Sequence, residues 1–339
     1  MSSAPAIPKV EAKQLPSLYD FFSPEGMLSR GSLKYEHRRG QYEMARAVEA
    51  AFKDKRHLVV EAGTGTGKTL AYLLPALRFA RANGQRVIVS TGTKNLQEQL
   101  YFKDVPFLES ILNPPDGEQY GPLKVCYMKG RANYLCRHKL YALRDSPLLS
   151  GLEEIEQFHH IVTWEQTTET GDRAELGHLP ESSQLWSKLD ARTEACLGTT
   201  CPDWEQCFVT QMRRKALESD LIIVNHHLFF ADLNIKQQAP DAADAGILPA
   251  AAVVIFDEAH ELEDIASNYF GIGLSNARFD ELTRDVEMML RAKQASSSAL
   301  ESACAILKER SRMFFAALPV EAQPLGRMPF DPVQRESFL

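Results

Sequence analysis

The chain has 339 residues, 44% of them hydrophobic and 24% charged, with a net charge of −7. That length predicts two or three domains rather than one core, and the balance is that of a soluble globular protein without a global basic signature. Any nucleic-acid contact must therefore come from a local patch.

The amino terminus, MSSAPAIPKVEAKQLPSLYDFF, has no basic start followed by an apolar segment, and no apolar run approaches the ~18 residues of a membrane span. A reducing cytoplasm is the expected compartment. There the six cysteines read as thiols or metal ligands rather than disulfides. Residues 1–30 read as a loose lead-in with one short helix. The stretch 36–52 is predicted helical, with Met44, Val48 and Phe52 four residues apart. HLVVEA at 57–62 reads as a buried strand, 68–83 as a helix, 84–93 as a strand and 94–102 as a helix. This order predicts a parallel sheet with helices on its faces. NPPDGEQYGP at 113–122 marks a break, and 123–130 holds a further short strand. Residues 137–195 are polar and helix-like, 220–230 returns to strand character, and 237–249 reads as a loop. A strand at 251–260 ends in acids, and 277–317 is predicted to be largely helical from the spacing of Phe279, Leu282, Val286, Met289 and Leu290.

EAGTGTGKT at 61–69 has the composition of a phosphate-binding loop. Gly63, Gly65 and Gly67, around Thr64 and Thr66, allow the backbone to curl with its N–H groups inward. The helix that follows presents its positive end to an anion. Lys68 is placed to reach the β- and γ-phosphates of ATP, and the Thr69 hydroxyl to ligate Mg²⁺. FDEAH at 256–260 follows an apolar strand. Asp257 is predicted to hold Mg²⁺ through water and Glu258 to act as general base on the attacking water. Asp257, Glu258 and Lys68 are the expected catalytic set. Gln41 in HRRGQ can both donate to and accept from an adenine edge, the alternative being a helical Gln facing solvent.

Between these two halves lie Cys136, Cys196, Cys201 and Cys207, the last three as C-x4-C-x5-C. Three clustered thiols with one distant partner suit a closed metal centre. The missing C-x-x-C knuckles favour an iron–sulfur cluster over zinc, with unliganded thiols as the third reading. Cys126 and Cys304 read as packing cysteines. From Lys124 to Arg144 there are six Lys or Arg and no acid, with Tyr127, Tyr134 and Tyr141 at a seven-residue period. Cations beside aromatics suggest a single-strand binding surface, with Lys129, Arg131 and Tyr134 as expected contacts. The same period also describes one buried helix face. QMRRKALE adds a second basic cluster, and His226 and His227 read as structural.

RRGQ, AGTGTGKT, STGTKNLQEQL, GRANYLC, the cysteine trio, VNHHLFFADL and FDEAH occur in one order that resembles the iron–sulfur superfamily 2 DNA helicases of the DinG/YoaA type, related to XPD. The resemblance covers most of 18–270. It implies an α/β, RecA-like P-loop parallel sheet with helices on both faces, interrupted by an iron–sulfur insert and followed by a helical arch. The implied boundaries are 1–122 and 216–261 for the first helicase domain, 123–215 for the insert and 262–339 for an incomplete arch. The second helicase domain, with its arginine finger, has no counterpart. The implied activity is ATP-dependent 5′→3′ translocation on single-stranded DNA and unwinding of forked or damaged duplexes, with replication or repair proteins as partners and no membrane. ATP, Mg²⁺ and one [4Fe–4S] cluster on Cys136, Cys196, Cys201 and Cys207 are the implied cofactors. A chain without the finger is expected to hydrolyse ATP very poorly. The competing reading is a non-catalytic module that binds single-stranded DNA or senses redox state.

Overall fold

The computed structural model describes residues 14–31, 35–63, 65–117, 119–145, 149, 151–177, 179–180, 183–192, 196–238, 246–270, 275–292 and 297–317. The chain divides between Tyr269 and Phe270 into two compact units. The first begins with α1 (Leu18–Phe22), α2 (Met27–Gly31), α3 (Arg39–Asp54) and α4 (Lys68–Asn83). β1 (Val87–Thr91) and α5 (Lys94–Gln99) follow, and a π-helical turn over Leu100–Asp104 leads into α6 (Val105–Leu112). After β2 (Val125–Tyr127) come α7 (Arg137–Asp145), α8 (Leu152–Glu165), α9 (Gln184–Leu189) and α10 (Phe208–Glu218). β3 (Leu221–Asn225), α11 (His226–Gln238) and β4 (Val253–Phe256) precede α12 (Leu262–Phe270).

The four strands form one parallel sheet in the order β2-β3-β1-β4. Successive side chains point to opposite faces, and both faces are covered. Val87, Val89, Val125, Leu221 and Ile223 pack with Phe21, Leu74, Leu77, Leu108 and Leu112 on one side. Ile88, Cys126, Ile222 and Val224 pack with Ala216, Leu228 and Leu248 on the other. A parallel sheet enclosed on both sides explains the near-continuous apolar runs VIV and LIIV. Cys126 is the buried packing thiol expected from the sequence, and Cys304 is half-buried on the second unit.

Local chemistry sets the element ends. Thr93 caps α5 by accepting from the Leu96 N–H at 3.2 Å. Gly84 closes α4 in the left-handed region, at φ 63°, where glycine pays no steric penalty. Asn225 Oδ1 accepts from the Leu228 N–H at 2.8 Å. That bond starts α11 at His226, so the predicted 220–230 strand stops halfway.

Two expectations need correction. The segment 57–62 forms no strand, and Val59 is 96% exposed. A strand exists only with a neighbour supplying its ladder. Among the described residues β4 pairs with β1 alone, and none pairs with 57–62. β2 lies inside the stretch expected as the insert, yet it pairs with β3 in the main sheet. The separate core between β2 and β3 is built from Leu135, Leu140, Phe158, Ile161, Trp186 and Leu189, among others.

In the second unit α13 (Asn276–Ala292) packs on α14 (Ser298–Ala317). Phe279 and Phe315 meet at 6.4 Å, and Lys308 pairs with Glu287 at 2.9 Å. The predicted helical stretch is therefore two helices, while 318–339 lies outside the described residues.

A buried ion triad joins the main sheet to the inserted core. Lys129 follows β2 and is 2% exposed. Its Nζ lies 2.6 Å from Glu98 Oε1 on α5 and 2.6 Å from Asp172 Oδ2 in the inserted region. Asp172 also accepts from the Tyr127 hydroxyl at 3.0 Å and from the Ala174 N–H at 3.0 Å. Removing one partner of such a pair leaves an uncompensated buried charge. Lys129→Ala is expected to destabilise the first unit by about 3–5 kcal/mol. Lys129→Met combined with Asp172→Leu is expected to recover most of that loss, as read from urea unfolding midpoints.

Candidate nucleotide site and cysteine centre

The loop before α4 is shaped by its glycines. Gly65 and Gly67 have φ of 74° and 80°, a region that only glycine enters freely. The Thr66 hydroxyl donates to the Gly63 carbonyl at 2.9 Å, which tightens the curl. Thr64 lies outside the described residues. Gln41, on α3, is 4% exposed, so it does not face solvent. Its Nε2 donates to the Gly67 carbonyl at 3.0 Å and its Oε1 accepts from the Tyr35 hydroxyl at 2.7 Å. A side chain at Gly67 would collide with the Gln41 amide. Gln41 therefore braces the loop from behind. Beside it a cleft of about 320 Å³ is lined by Gly40, Gln41, Met44, Ala47, Val60 and Thr66. Glu43 and Glu61 also line it, so its wall mixes carboxylates and the Gln41 amide with apolar side chains.

The acids meet the loop because β4 ends beside β1. The Asp257 N–H donates to the Ser90 carbonyl at 2.8 Å, extending the ladder by one residue. Glu258 then takes φ 58°, a strained value for a residue with a side chain. Its Oε1 lies 3.8 Å from Lys68 Nζ and its Oε2 lies 3.5 Å from His260 Nδ1. Lys68 and Glu258, distant in sequence, thus face each other across one site.

Two residues at this site escaped the sequence reading. The buried Tyr72 hydroxyl donates to Asp257 Oδ2 at 3.0 Å and lies within reach of Thr69. It stands between both side chains expected to hold Mg²⁺. Its spacing was the available signal, since Thr69 and Tyr72 are three apart on one helix face. Asp104 ends the π-helical turn, a feature that recurs at functional sites. Burial and the neighbouring Asp257 carboxylate push its carboxyl up to about 6. His226, buried against Phe256, bonds Ser90 Oγ through Nδ1 at 2.7 Å, and burial lowers its pKa. It is structural, as expected.

The four cysteines converge on one edge of the inserted core. Cys136 and Cys207 pack against that core, and Cys136 feels the charges of Cys201 and Cys207. Cys196 Sγ accepts from Arg131 Nη2 at 2.9 Å. Lys139 acts electrostatically on Cys136 and Cys196, and Arg213 on Cys196 and Cys207. Burial raises the Cys136 thiol. Burial also opposes the Cys196 thiolate, but the Gly198 N–H and Arg131 outweigh it and lower that thiol. Cationic side chains thus act on three of the four sulfurs, those of Cys136, Cys196 and Cys207.

Two of the three expected nucleic-acid contacts, Lys129 and Tyr134, are buried. Lys129 is held in its ion triad. Tyr134 is 2% exposed, and its hydroxyl accepts from the Lys129 N–H at 3.1 Å. Arg131 is turned toward Cys196 and the Ala191 carbonyl. Tyr127 lies on β2 and bonds Asp172, while Tyr141 lies on α7 and bonds Glu165. The three tyrosines share neither a helix face nor an open surface. In the second basic cluster Arg214 pairs with Glu205 at 2.7 Å, and Lys215 donates to the Tyr101 hydroxyl at 3.2 Å. No helix among the described residues is long and apolar enough to cross a membrane.

Residues 41–112 match the DEAD/DEAH box helicase family. The chain is 42% identical over 274 residues to the ATP-dependent DNA helicase YoaA of Haemophilus influenzae, covering 81% of this chain and 40% of that protein. It is 37% identical over 298 residues to YoaA of Escherichia coli, covering 87% and 44%. It is 34% identical over 288 residues to the ATP-dependent helicase DinG of Mycobacterium tuberculosis, covering 78% and 41%. The chain thus spans well under half the length of these curated relatives.

Asp104 gives the nucleotide site a measurable pH signature. Its folded value of about 6 lies above the ordinary 3.8, so between those values the folded chain binds more protons than the unfolded one. Stability from this group therefore falls as pH rises through that window. Asp104→Asn is expected to flatten this descent, read as urea midpoint against pH.

Proposed function

From a chain that carries a DEAD/DEAH box helicase domain and is homologous over most of its length to YoaA and DinG helicases, we propose the nucleotide-binding and cluster-bearing part of a cytoplasmic 5′→3′ DNA helicase. It would couple ATP hydrolysis to movement along single-stranded DNA, opening forked or damaged duplexes beside replication or repair proteins. The observation that carries this reading is the approach of Lys68 to Glu258 at 3.8 Å. A cation at the head of α4 and a carboxylate after β4 have this relation when a triphosphate and its attacking water lie between them.

In this reading the loop of Gly63, Thr64, Gly65, Thr66 and Gly67 wraps the phosphates and Lys68 reaches the terminal ones. Thr69 and Asp257 hold Mg²⁺, with Tyr72 fixing their spacing. Glu258 orients the water and accepts its proton. Gln41 serves the site by bracing Gly67 next to the cleft. The insert is the part of 123–215 that follows β2 and carries its own apolar core, and 262–339 belongs to an arch.

The same reading assigns a [4Fe–4S] cluster to Cys136, Cys196, Cys201 and Cys207. A zinc ion with bonds of about 2.3 Å would draw its sulfurs to about 3.8 Å from one another. The metal-ligand group that lies within 4.8 Å among the described residues is instead His138, Cys201 and Asp203. Cys201 and Cys207 act electrostatically on Cys136, and Arg213 acts on both Cys196 and Cys207, which supports one shared centre. Arg131, Lys139 and Arg213 would offset the negative charge that four thiolates bring.

Glu258→Gln in the full-length protein is expected to keep ATP binding and to lower DNA-stimulated hydrolysis at least ~100-fold. Unchanged turnover would remove Glu258 from the role of base. Anaerobically purified protein is expected to contain iron and acid-labile sulfide and to absorb in the iron–sulfur charge-transfer region, with loss in Cys201→Ser. Protein with neither iron nor sulfide would overturn the cluster assignment.

A further inference from the structure

His138, Cys201 and Asp203 bring an imidazole nitrogen, a thiol sulfur and a carboxylate oxygen within 4.8 Å of one another. The placement has a simple origin. His138 stands in the first turn of α7, two residues after Cys136, and Asp203 stands two residues after Cys201. The turn carrying Cys201 and Asp203 is closed by the Trp204 N–H donating to the Cys201 carbonyl at 3.1 Å, and by the Cys207 N–H donating to the Trp204 carbonyl at 3.2 Å. Each non-sulfur ligand is thus fixed by a backbone that already positions a cysteine.

One pair within the trio lies at the spacing of two ligands around one ion. His138 Nδ1 lies 3.3 Å from Asp203 Oδ2. That is beyond the usual ~2.7–3.2 Å of an N–H···O bond. It equals the edge of a coordination tetrahedron, because zinc–nitrogen and zinc–oxygen bonds of about 2.0–2.1 Å set two ligands about 3.3 Å apart. The donor mixture points the same way. One nitrogen, one sulfur and one oxygen suit a borderline ion with an open fourth position, whereas Mg²⁺ and Ca²⁺ demand more oxygens. The His138 and Asp203 side chains are 39% and 22% exposed, so an ion can enter without opening the fold.

We propose that His138, Cys201 and Asp203 form a site for a zinc-class divalent cation. Its ligand set differs from that of the four-cysteine centre, and the two are mutually exclusive because Cys201 serves both. The exclusion, though not the cation site itself, rests on the cluster assignment above. Binding involves no redox change. The Cys201 thiol proton leaves to solvent, and the imidazole binds in its neutral form with water completing the shell.

The test begins with zinc titrated into the metal-free, reduced 339-residue chain against a chromophoric chelator, with X-ray absorption of the product. One zinc per chain is expected, in a mixed shell containing a single sulfur. His138→Ala and Asp203→Asn are each expected to weaken binding at least ~10-fold, while Cys136→Ser and Cys196→Ser leave it within about twofold. Circular dichroism of each variant separates lost ligands from lost folding, and His138→Gln repeats the test with a closer isostere. A shell of four sulfurs overturns the proposal, as does loss of binding in Cys136→Ser with retention in His138→Ala, or no binding at all. In a second arm, iron and sulfide are supplied with and without zinc. Zinc is expected to block cluster assembly in the unaltered chain and not in His138→Ala. Cluster and zinc bound together would overturn the exclusion. A chain that takes up zinc through the trio but never iron and sulfide would sink the cluster assignment and leave the cation site standing.

Discussion

Everything distinctive in the first unit follows from the pairing of β1 on both of its edges. Val87 sits opposite Leu221 on one side and opposite Val253 on the other. These partners lie far apart in sequence, so closing the sheet forces the intervening chain out at its end. The first consequence is that Asp257 and Glu258 emerge beside the head of α4, because the ladder carries on through the Asp257 N–H to Ser90. The second, with β2 paired to β3, is that the chain between them builds an apolar core of its own, while Met128 and Ala216 stay in the core of the main sheet. Phosphate loop, acids and cysteine centre are products of one strand alignment.

That separate body must stay in register with the sheet, and the means is electrostatic. Lys129 bonds α5 on one side and Asp172 on the other with almost no solvent access. Gln97, also on α5 and fully buried, donates to the carbonyls of Met128 and Ile223. The helix that follows β1 is thus tied to the end of β2, to β3 and to the inserted region at once. Polar groups this deep cost desolvation, which these bonds offset, although the Gln97 Oε1 is left without a partner. Within the local run of cations with interleaved tyrosines, Lys129 and Tyr134 belong to the interior of this joint, while Lys124 and Arg144 are exposed.

The cysteine centre shows how spacing and geometry carry different information. The C-x4-C-x5-C pattern limits how the thiols can approach one another, but it says nothing of His138 or Asp203. Asp203 shares the 201–207 turn with Cys201, and His138 joins them only because α7 meets that turn at the edge of the inserted core. Arg131 is a similar case. Its sequence position beside Lys129 suggested a phosphate contact, while the fold turns it onto Cys196.

The sequence by itself determined the chemistry of the nucleotide site and the order of most elements. Gly-rich loop, lysine and acids are local signals whose residue types follow from phosphate and metal binding, and α4 runs over the predicted residues. Burial of a charged or aromatic side chain is not a local property. Lys129, Tyr134 and Gln41 each read as solvent- or ligand-facing in at least one sequence interpretation. Their fates were decided by Glu98, Asp172, Tyr35 and Gly67, which come near only after folding. The segment 57–62 makes the same point in reverse. Its apolar residues predict a strand, but a strand requires a neighbour's hydrogen bonds, and among the described residues only the tertiary arrangement reveals that β4 offers its ladder to β1 alone.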